Sequence, residues 1–219
     1  MHDAPDNDVT RVSTNLDPAD IPVMILCGGM GTRLREASEK LPKPLVDIGG
    51  KPILWHIMKT YEAHGFRRFI LCLGYKSELI KRHFLDMREQ VSDFTLHLAG
   101  DHRPVFHGES REEGWEITFA ETGLQTGTGG RIRRAMKYVD SDVFALTYGD
   151  GIGDVDLTAQ LKHHLEARRL ATGQSCSSSA SLGGTPAACS STVASCAITF
   201  DRSLGVMPRR TGDSNVMLN

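Results

Sequence analysis

Continuous apolar runs and amphipathic stretches alternate along the chain from Pro22 to about Arg169. Three runs are almost wholly apolar and predict strands buried on both faces: 22–27, 68–73 and 143–148. Four stretches carry apolar residues three and four positions apart and predict helices: 52–64, 77–85, 130–139 and 157–169. Since strands separated by helices of this length pair in parallel, we predict an α/β fold. It has a Rossmann-like, mostly parallel sheet with helices on both faces.

Two further segments, 94–98 and 115–120, alternate between apolar and polar residues and predict half-exposed strands. Past Arg169 no helical or strand period is visible, and no charged residue occurs between Leu170 and Phe200. Serine, cysteine and other small residues dominate there, a composition typical of disorder. We therefore expect a flexible extension over 1–20, a folded domain over 21–173 and a low-complexity, disordered or non-native tail over 174–219.

Composition restricts the class of protein. The 219 residues suffice for one domain, and a net charge of −2 offers no basic surface for nucleic acid. No apolar run approaches the roughly 20 residues of a membrane span. The acidic, polar start is unlike a secretory signal, and the five cysteines have no metal-ligand spacing. We expect a reduced, cytoplasmic protein without a membrane or nucleic-acid partner.

The turn after the first apolar run carries the strongest chemical signal. Three glycines within four positions allow a sharp bend and a close approach of the backbone to a ligand. Backbone N–H groups of such a loop bind phosphate oxygens, and Arg33 can hold two oxygens at once. The alternative is an ordinary strand-to-helix turn; a dinucleotide loop would need glycine in place of Leu34. The predicted triphosphate loop comprises Leu26, Cys27, Gly28, Gly29, Met30, Gly31, Thr32 and Arg33.

A second cation lies ten residues further on. Lys43 is flanked by Pro42 and Pro44, which restrict the backbone and so limit how far the ammonium can move. A fixed cation at this place suits a phosphate group. The alternative is a solvated surface lysine.

The third predicted buried strand ends at a carboxylate. Asp150 follows the run 143–148 and stands between Gly149 and Gly151. In open α/β sheets the carboxyl ends of the strands face the ligand crevice. Mg²⁺ prefers one or two carboxylates together with phosphate oxygens, so Asp150 is a candidate Mg²⁺ ligand. A turn-forming aspartate is the alternative.

These motifs together resemble the sugar-nucleotide pyrophosphorylases, and within them the cytidylyl branch that acts on glucose 1-phosphate. Four ordered stretches carry the resemblance: Leu26 to Leu34, Lys43 to Met58, Thr122 to Arg131 and Thr147 to Gly151. It implies a nucleotide-diphospho-sugar transferase fold and the formation of CDP-glucose and pyrophosphate from CTP and α-D-glucose 1-phosphate. This activity belongs to sugar-nucleotide, O-antigen and lipopolysaccharide biosynthesis.

The resemblance also implies roles for single residues. Arg33 and Lys43 are the implied catalytic cations, and Lys43 contacts the phosphate under attack. Asp150 holds Mg²⁺. Thr126, Arg131 and Gly149 join the glycine loop in binding the nucleotide. From the residues alone, the glycine-rich loop before Arg131 is only moderately specific evidence for a nucleotide site. We expect Arg133, Arg134 and Lys137 on a solvated helix face.

The chain departs from the family after about Gly173, where the family's later segments do not follow. We therefore expect a truncated or frame-shifted chain, a sheet incomplete at the C-terminus and an unpaired sheet edge. Three hypotheses stay open at this point: a cytidylyltransferase by descent, a thymidylyl or uridylyl transferase of the same family, and a nucleotide-binding fragment without catalysis. A homo-oligomer is possible in each case.

Overall fold

The computed structural model describes residues 16–29, 41–99, 103–108, 114–174 and 197–201. Its strands are β1 Pro22–Leu26, β2 Asp47–Ile48, β3 Lys51–Pro52, β4 Arg68–Leu73, β5 Asp93–Leu96, β6 Pro104–His107, β7 Glu116–Glu121, β8 Val143–Tyr148, β9 Ala171–Gln174 and β10 Ala197–Asp201. Its α-helices are α1 Ile53–Ala63, α2 Ser77–Leu85, α3 Met87–Val91, α4 Thr128–Ala135 and α5 Leu157–Ala167. Short 3₁₀ turns lie at Pro18–Asp20, Lys43–Leu45 and Met136–Tyr138.

Within these ranges, six strands form one sheet in the order β7-β4-β1-β8-β10-β9. The pairs β4–β7, β1–β4 and β1–β8 are parallel, whereas β10 runs antiparallel to both β8 and β9. Two antiparallel ribbons, β2–β3 and β5–β6, lie outside this sheet. The prediction of a mostly parallel α/β sheet is confirmed.

Both faces of the sheet are buried because successive side chains of a strand point to opposite sides. In β1, Val23 and Ile25 join one apolar cluster with Ile57 and Met58 of α1. Met24 belongs instead to the second cluster, which includes residues of α4. Helices therefore cover both faces, as predicted. None of the helices in the described ranges is long and apolar enough to cross a membrane.

The predicted strand at 68–73 and helix at 77–85 coincide with β4 and α2. The helix predicted over 130–139 begins earlier, at Thr128, and tightens into a 3₁₀ turn from Met136. The pattern missed the ribbon β2–β3, the strand β6 and the helix α3, whose two to five residues are too few to show a period. The predicted flexible extension also reaches too far, because Leu16 packs against the core and Asp17 caps the turn Pro18–Asp20.

The expectation that no strand follows Arg169 is wrong for two segments. β10 pairs with β8 and β9 pairs with β10, so two further strands continue the sheet beyond β8. Ile198 and Phe200 pack against the second apolar cluster, and the ring of Phe200 stacks on Phe144 with centroids 5.1 Å apart. A short alternating segment such as 198–200 can thus form a strand when the buried strand β8 is available for pairing. The remaining tail, 175–196 and 202–219, lies outside the described residues.

We expect Phe200→Ala to lower the free energy of unfolding by about 2 kcal/mol, since truncating a half-buried aromatic side chain removes part of the roughly 3–5 kcal/mol found for full burial. Urea denaturation of the original chain and of the variant measures the change in the free energy of unfolding. Phe94→Ala is the matched control, because Phe94 is 41% exposed on the β5–β6 ribbon. Equal loss of stability in the two variants would show that β10 does not stabilise the sheet.

Candidate nucleotide site

The candidate site lies where the parallel strands end. Gly28, Gly74, Thr122 and Gly149 follow closely after β1, β4, β7 and β8 and therefore meet at the same edge of the sheet. Backbone hydrogen bonds join these loops: the Cys27 N–H donates to the Cys72 carbonyl at 3.0 Å, and the Gly149 N–H donates to the Leu26 carbonyl at 3.1 Å. Hydrogen bonds thus join the ends of β4, β1 and β8 side by side at this edge.

The described part of the predicted triphosphate loop is Leu26, Cys27, Gly28 and Gly29. Of these, only Gly29 is exposed, while Leu26 is half-buried and the other two are buried. Met30, Gly31, Thr32 and Arg33 lie outside the described residues, so the role of Arg33 stays a prediction.

Lys43 and Asp150 are brought together from 107 positions apart in the chain, with Nζ and Oδ2 separated by 3.4 Å. Lys43 begins the 3₁₀ turn, and the buried Pro44 beside it anchors that turn. The two side chains are 28% and 45% exposed. An ion pair this exposed contributes at most about 1 kcal/mol, so either partner can turn to another charged group at little cost.

Gly149 serves packing between strands. A Cβ atom at this position would stand 2.9 Å from Cys27 Sγ and 3.1 Å from the Leu26 carbonyl oxygen, closer than side chains tolerate. The absence of a side chain therefore lets the end of β8 lie against the end of β1. Asp150 is held next to the glycine loop as a result.

Arg131 is buried, with 6% of its surface exposed, and its guanidinium bonds to protein acceptors. Nη1 donates to the Leu73 carbonyl at 3.0 Å and to Thr122 Oγ1 at 2.7 Å. Nη2 donates to the carbonyls of Gly28 at 2.9 Å and Leu124 at 3.1 Å. The contact with nucleotide that the resemblance implies for Arg131 stays a prediction, whereas the structure shows a tie between three loops.

Arg134 lies at an exposed position of α4, as expected, but its guanidinium also bonds to the loop that precedes this helix. Its Nη1 donates to the Thr122 carbonyl at 2.6 Å and to Thr126 Oγ1 at 2.8 Å, so it holds the loop that carries Thr126. The spacing could have indicated this, because residues three apart lie on the same side of a helix and Arg134 follows Arg131 by three.

A pocket is formed in part by residues that directly follow Asp150 in the sequence. It is lined by Ile57, Thr60, Tyr61, Gly151, Ile152, Gly153, Val155 and Leu157. None of these lining residues is charged, and burial raises the pKa of the Tyr61 phenol, which therefore stays neutral near pH 7. Gly151 follows Asp150 directly in the sequence, so the pocket adjoins the Lys43–Asp150 ion pair.

The side chains around Asp150 limit the kind of metal ion that this site could hold. In the described part of the chain, no three His, Cys, Asp or Glu side chains are grouped as around a protein-bound metal ion. A single exposed carboxylate at Asp150 fits Mg²⁺ that arrives with phosphate oxygens and keeps waters of its own. It does not fit an ion held by protein ligands alone.

The family model described as nucleotidyl transferase matches residues 22–179. This range includes every described residue of the candidate site. That range is more than half of the chain. The chain belongs to the nucleotidyl transferase family.

Curated members of the family are similar to about two thirds of the chain. The chain is 47% identical over 150 residues to glucose-1-phosphate cytidylyltransferase of Salmonella typhimurium, covering 68% of this chain and 58% of that relative. It is also 47% identical over 141 residues to the probable glucose-1-phosphate cytidylyltransferase of Bacillus subtilis, covering 64% of this chain and 54% of that relative. The chain thus spans little more than half the length of these relatives.

The fold is shared with a solved structure at lower identity. The structure of a putative glucose-1-phosphate thymidylyltransferase from Bacillus anthracis matches with a TM-score of 0.52 and 16% identity. The match covers 69% of this chain and 52% of that one. At this identity the likeness supports the fold alone.

We expect Cys27 and Cys72 to resist alkylation by iodoacetamide near pH 8 while the chain is folded. Burial raises the pKa of the Cys27 thiol well above its ordinary value and that of Cys72 to about 12. Because the thiolate is the reactive form, a raised pKa leaves little of it at this pH. Mass spectrometry of the two peptides measures labelling, with the chain in urea as the control. Equally rapid labelling in both conditions would contradict the burial.

Proposed function

We propose that the chain is a nucleotidyl transferase acting on CTP and α-D-glucose 1-phosphate, with CDP-glucose and pyrophosphate as products. The observation that carries this proposal is the pairing of Lys43 with Asp150 at the carboxyl edge of the sheet, the edge at which the exposed Gly29 follows β1. A cation, a carboxylate and a side-chain-free backbone at one place provide what a polyphosphate and its counterion require.

In the proposed reaction, a phosphate oxygen of glucose 1-phosphate attacks the α-phosphorus of CTP in line. A new P–O bond forms, the bond between the α-phosphorus and the bridging oxygen to the β-phosphate breaks, and pyrophosphate leaves with that oxygen. The Lys43 ammonium turns from Asp150 to the α-phosphate and stabilises the negative charge of the transition state. Asp150 supplies a carboxylate oxygen for Mg²⁺, which neutralises phosphate charge when bound.

The choice of base and sugar rests on the cytidylyltransferase relatives. At 47% identity they support CTP and glucose 1-phosphate as substrates. Thymidylyl and uridylyl transfer remain the alternatives within the same chemistry. Lys43 and Asp150 interact with phosphate and metal, which every nucleoside triphosphate carries, and therefore do not discriminate among bases.

CTP with Mg²⁺ is expected to raise the midpoint of thermal unfolding, because a ligand that binds only the folded state stabilises it. A smaller shift with UTP, dTTP or GTP at the same concentration would agree with the cytidylyl assignment. Asp150→Asn should abolish the Mg²⁺-dependent part of the shift, and Asp154→Asn, at an exposed position, serves as its control. No shift with any nucleoside triphosphate would refute the proposed function.

Release of pyrophosphate from CTP and glucose 1-phosphate tests transfer separately from binding. This separation matters because the relatives extend well beyond the part that they share with the chain. Binding with pyrophosphate release supports the transferase. Binding without release supports the second candidate, a nucleotide-binding protein without transferase activity.

Replacing the lysine that matches Lys43 by alanine in an intact relative should lower turnover by about 10²–10³, the loss typical of one transition-state donor. Stability should change little, because the ion pair of Lys43 is exposed. Lys43→Ala in this chain, compared with Lys162→Ala on the exposed side of α5, checks the second point by thermal unfolding. Near-normal turnover in the relative would remove this lysine from the catalytic group.

A further inference from the structure

The buried guanidinium of Arg131 accounts for two glycines at the sheet edge. A Cβ atom placed on Gly28 would collide with Nη1 and Cζ of Arg131. A Cβ atom on Gly74 would approach Nη1 to 2.5 Å and Nη2 to 2.9 Å. Both glycines thus leave space that Arg131 fills, so at these positions the neighbour that excludes a side chain is a residue of the protein.

The hydrogen bond to Gly28 determines how the following peptide group is turned. Arg131 Nη2 lies 2.9 Å from the Gly28 carbonyl oxygen, and the Tyr75 N–H approaches the same oxygen at 3.4 Å. In a trans peptide the carbonyl and the following N–H point in opposite directions. With the Gly28 carbonyl held toward the buried arginine, the Gly29 N–H points away from that arginine, and Gly29 itself is exposed.

The acceptors of Arg131 are neutral. They comprise three backbone carbonyls and one hydroxyl, and the Thr122 hydroxyl in turn donates a hydrogen bond to the Leu73 carbonyl at 2.6 Å. Among the described residues, no carboxylate lies within ion-pair distance of this guanidinium. Burial lowers the pKa of Arg131, yet an arginine stays protonated near pH 7. A positive charge is therefore present just beneath the glycine loop.

We propose that Arg131 is a positioning residue for the triphosphate: it fixes the Gly28 carbonyl inward so that the Gly29 N–H faces the phosphate chain, and its charge favours an anion above the loop. The inference rests on the proposed function and deepens it. In this arrangement Lys43 contacts phosphate directly from a partly exposed position. Arg131 stays buried and acts on phosphate only through the backbone of Gly28 and Gly29 and through its charge.

The test compares variants of the full chain by their affinity for CTP with Mg²⁺ in titration calorimetry. Arg131→Met removes both the charge and the hydrogen bonds, and we expect affinity to fall about tenfold or more, the effect of losing one hydrogen bond to a charged group. Arg131→Lys keeps the charge and should restore part of the affinity. Arg133→Met, at an exposed position of α4, loses the same charge and should bind as the original chain does.

Hydrogen exchange of the ligand-free chains provides a second measurement. Arg131→Met should accelerate exchange in peptides spanning 26–29 and 122–126, while Arg133→Met should not. Should Arg131→Met fail to fold, Thr122→Val replaces it, since this change removes one acceptor of Arg131 at nearly constant shape.

The outcomes separate the two proposals. Reduced affinity in Arg131→Met with partial recovery in Arg131→Lys supports the inference. Equal affinity in Arg131→Met and Arg133→Met overturns the inference and leaves the proposed function intact. If the original chain binds no nucleoside triphosphate, the proposed function fails and the inference fails with it.

Discussion

The parallel pairing of β1, β4, β7 and β8 is the constraint on which the candidate site depends. Strands that run in the same direction end at the same edge, so residues far apart in the chain become neighbours there. Both faces of β1, β4 and β8 are buried, which ties the ends of these strands to the packing of the core. The packing of the strands therefore positions the described residues that directly follow them.

Two cations at this edge have opposite environments. Lys43 is partly exposed and paired with an exposed carboxylate, an arrangement that changes partners at small cost. Arg131 is buried and bonded to four neutral acceptors, so moving it would leave several buried polar groups unsatisfied. The edge thus combines a buried arginine with fixed hydrogen bonds and a partly exposed lysine that can change partners. This combination suits phosphoryl chemistry, which depends mainly on positioning and charge neutralisation.

Much of the fold follows from local pattern. The buried strands β1, β4 and β8 and the helices α1, α2 and α5 are long enough to show their period, and the structure places them where the pattern does. The strand β10 escaped prediction because only a few alternating residues mark it, and its stability comes from pairing with β8 and from the stack of Phe200 on Phe144. A segment of that length carries too little information without its neighbour.

The sequence by itself determined the alternation of strands and helices, the family, and the candidate groups for phosphate: a glycine loop, a lysine between two prolines and a strand-end aspartate. Only the tertiary structure decided how these groups are used. Arg131 meets Gly28 across 103 positions of the chain, and this contact makes Arg131 a tie between loops. The physical reason is that a guanidinium bonds to whichever acceptors the packing brings near, and packing between distant segments leaves no periodic trace in the sequence.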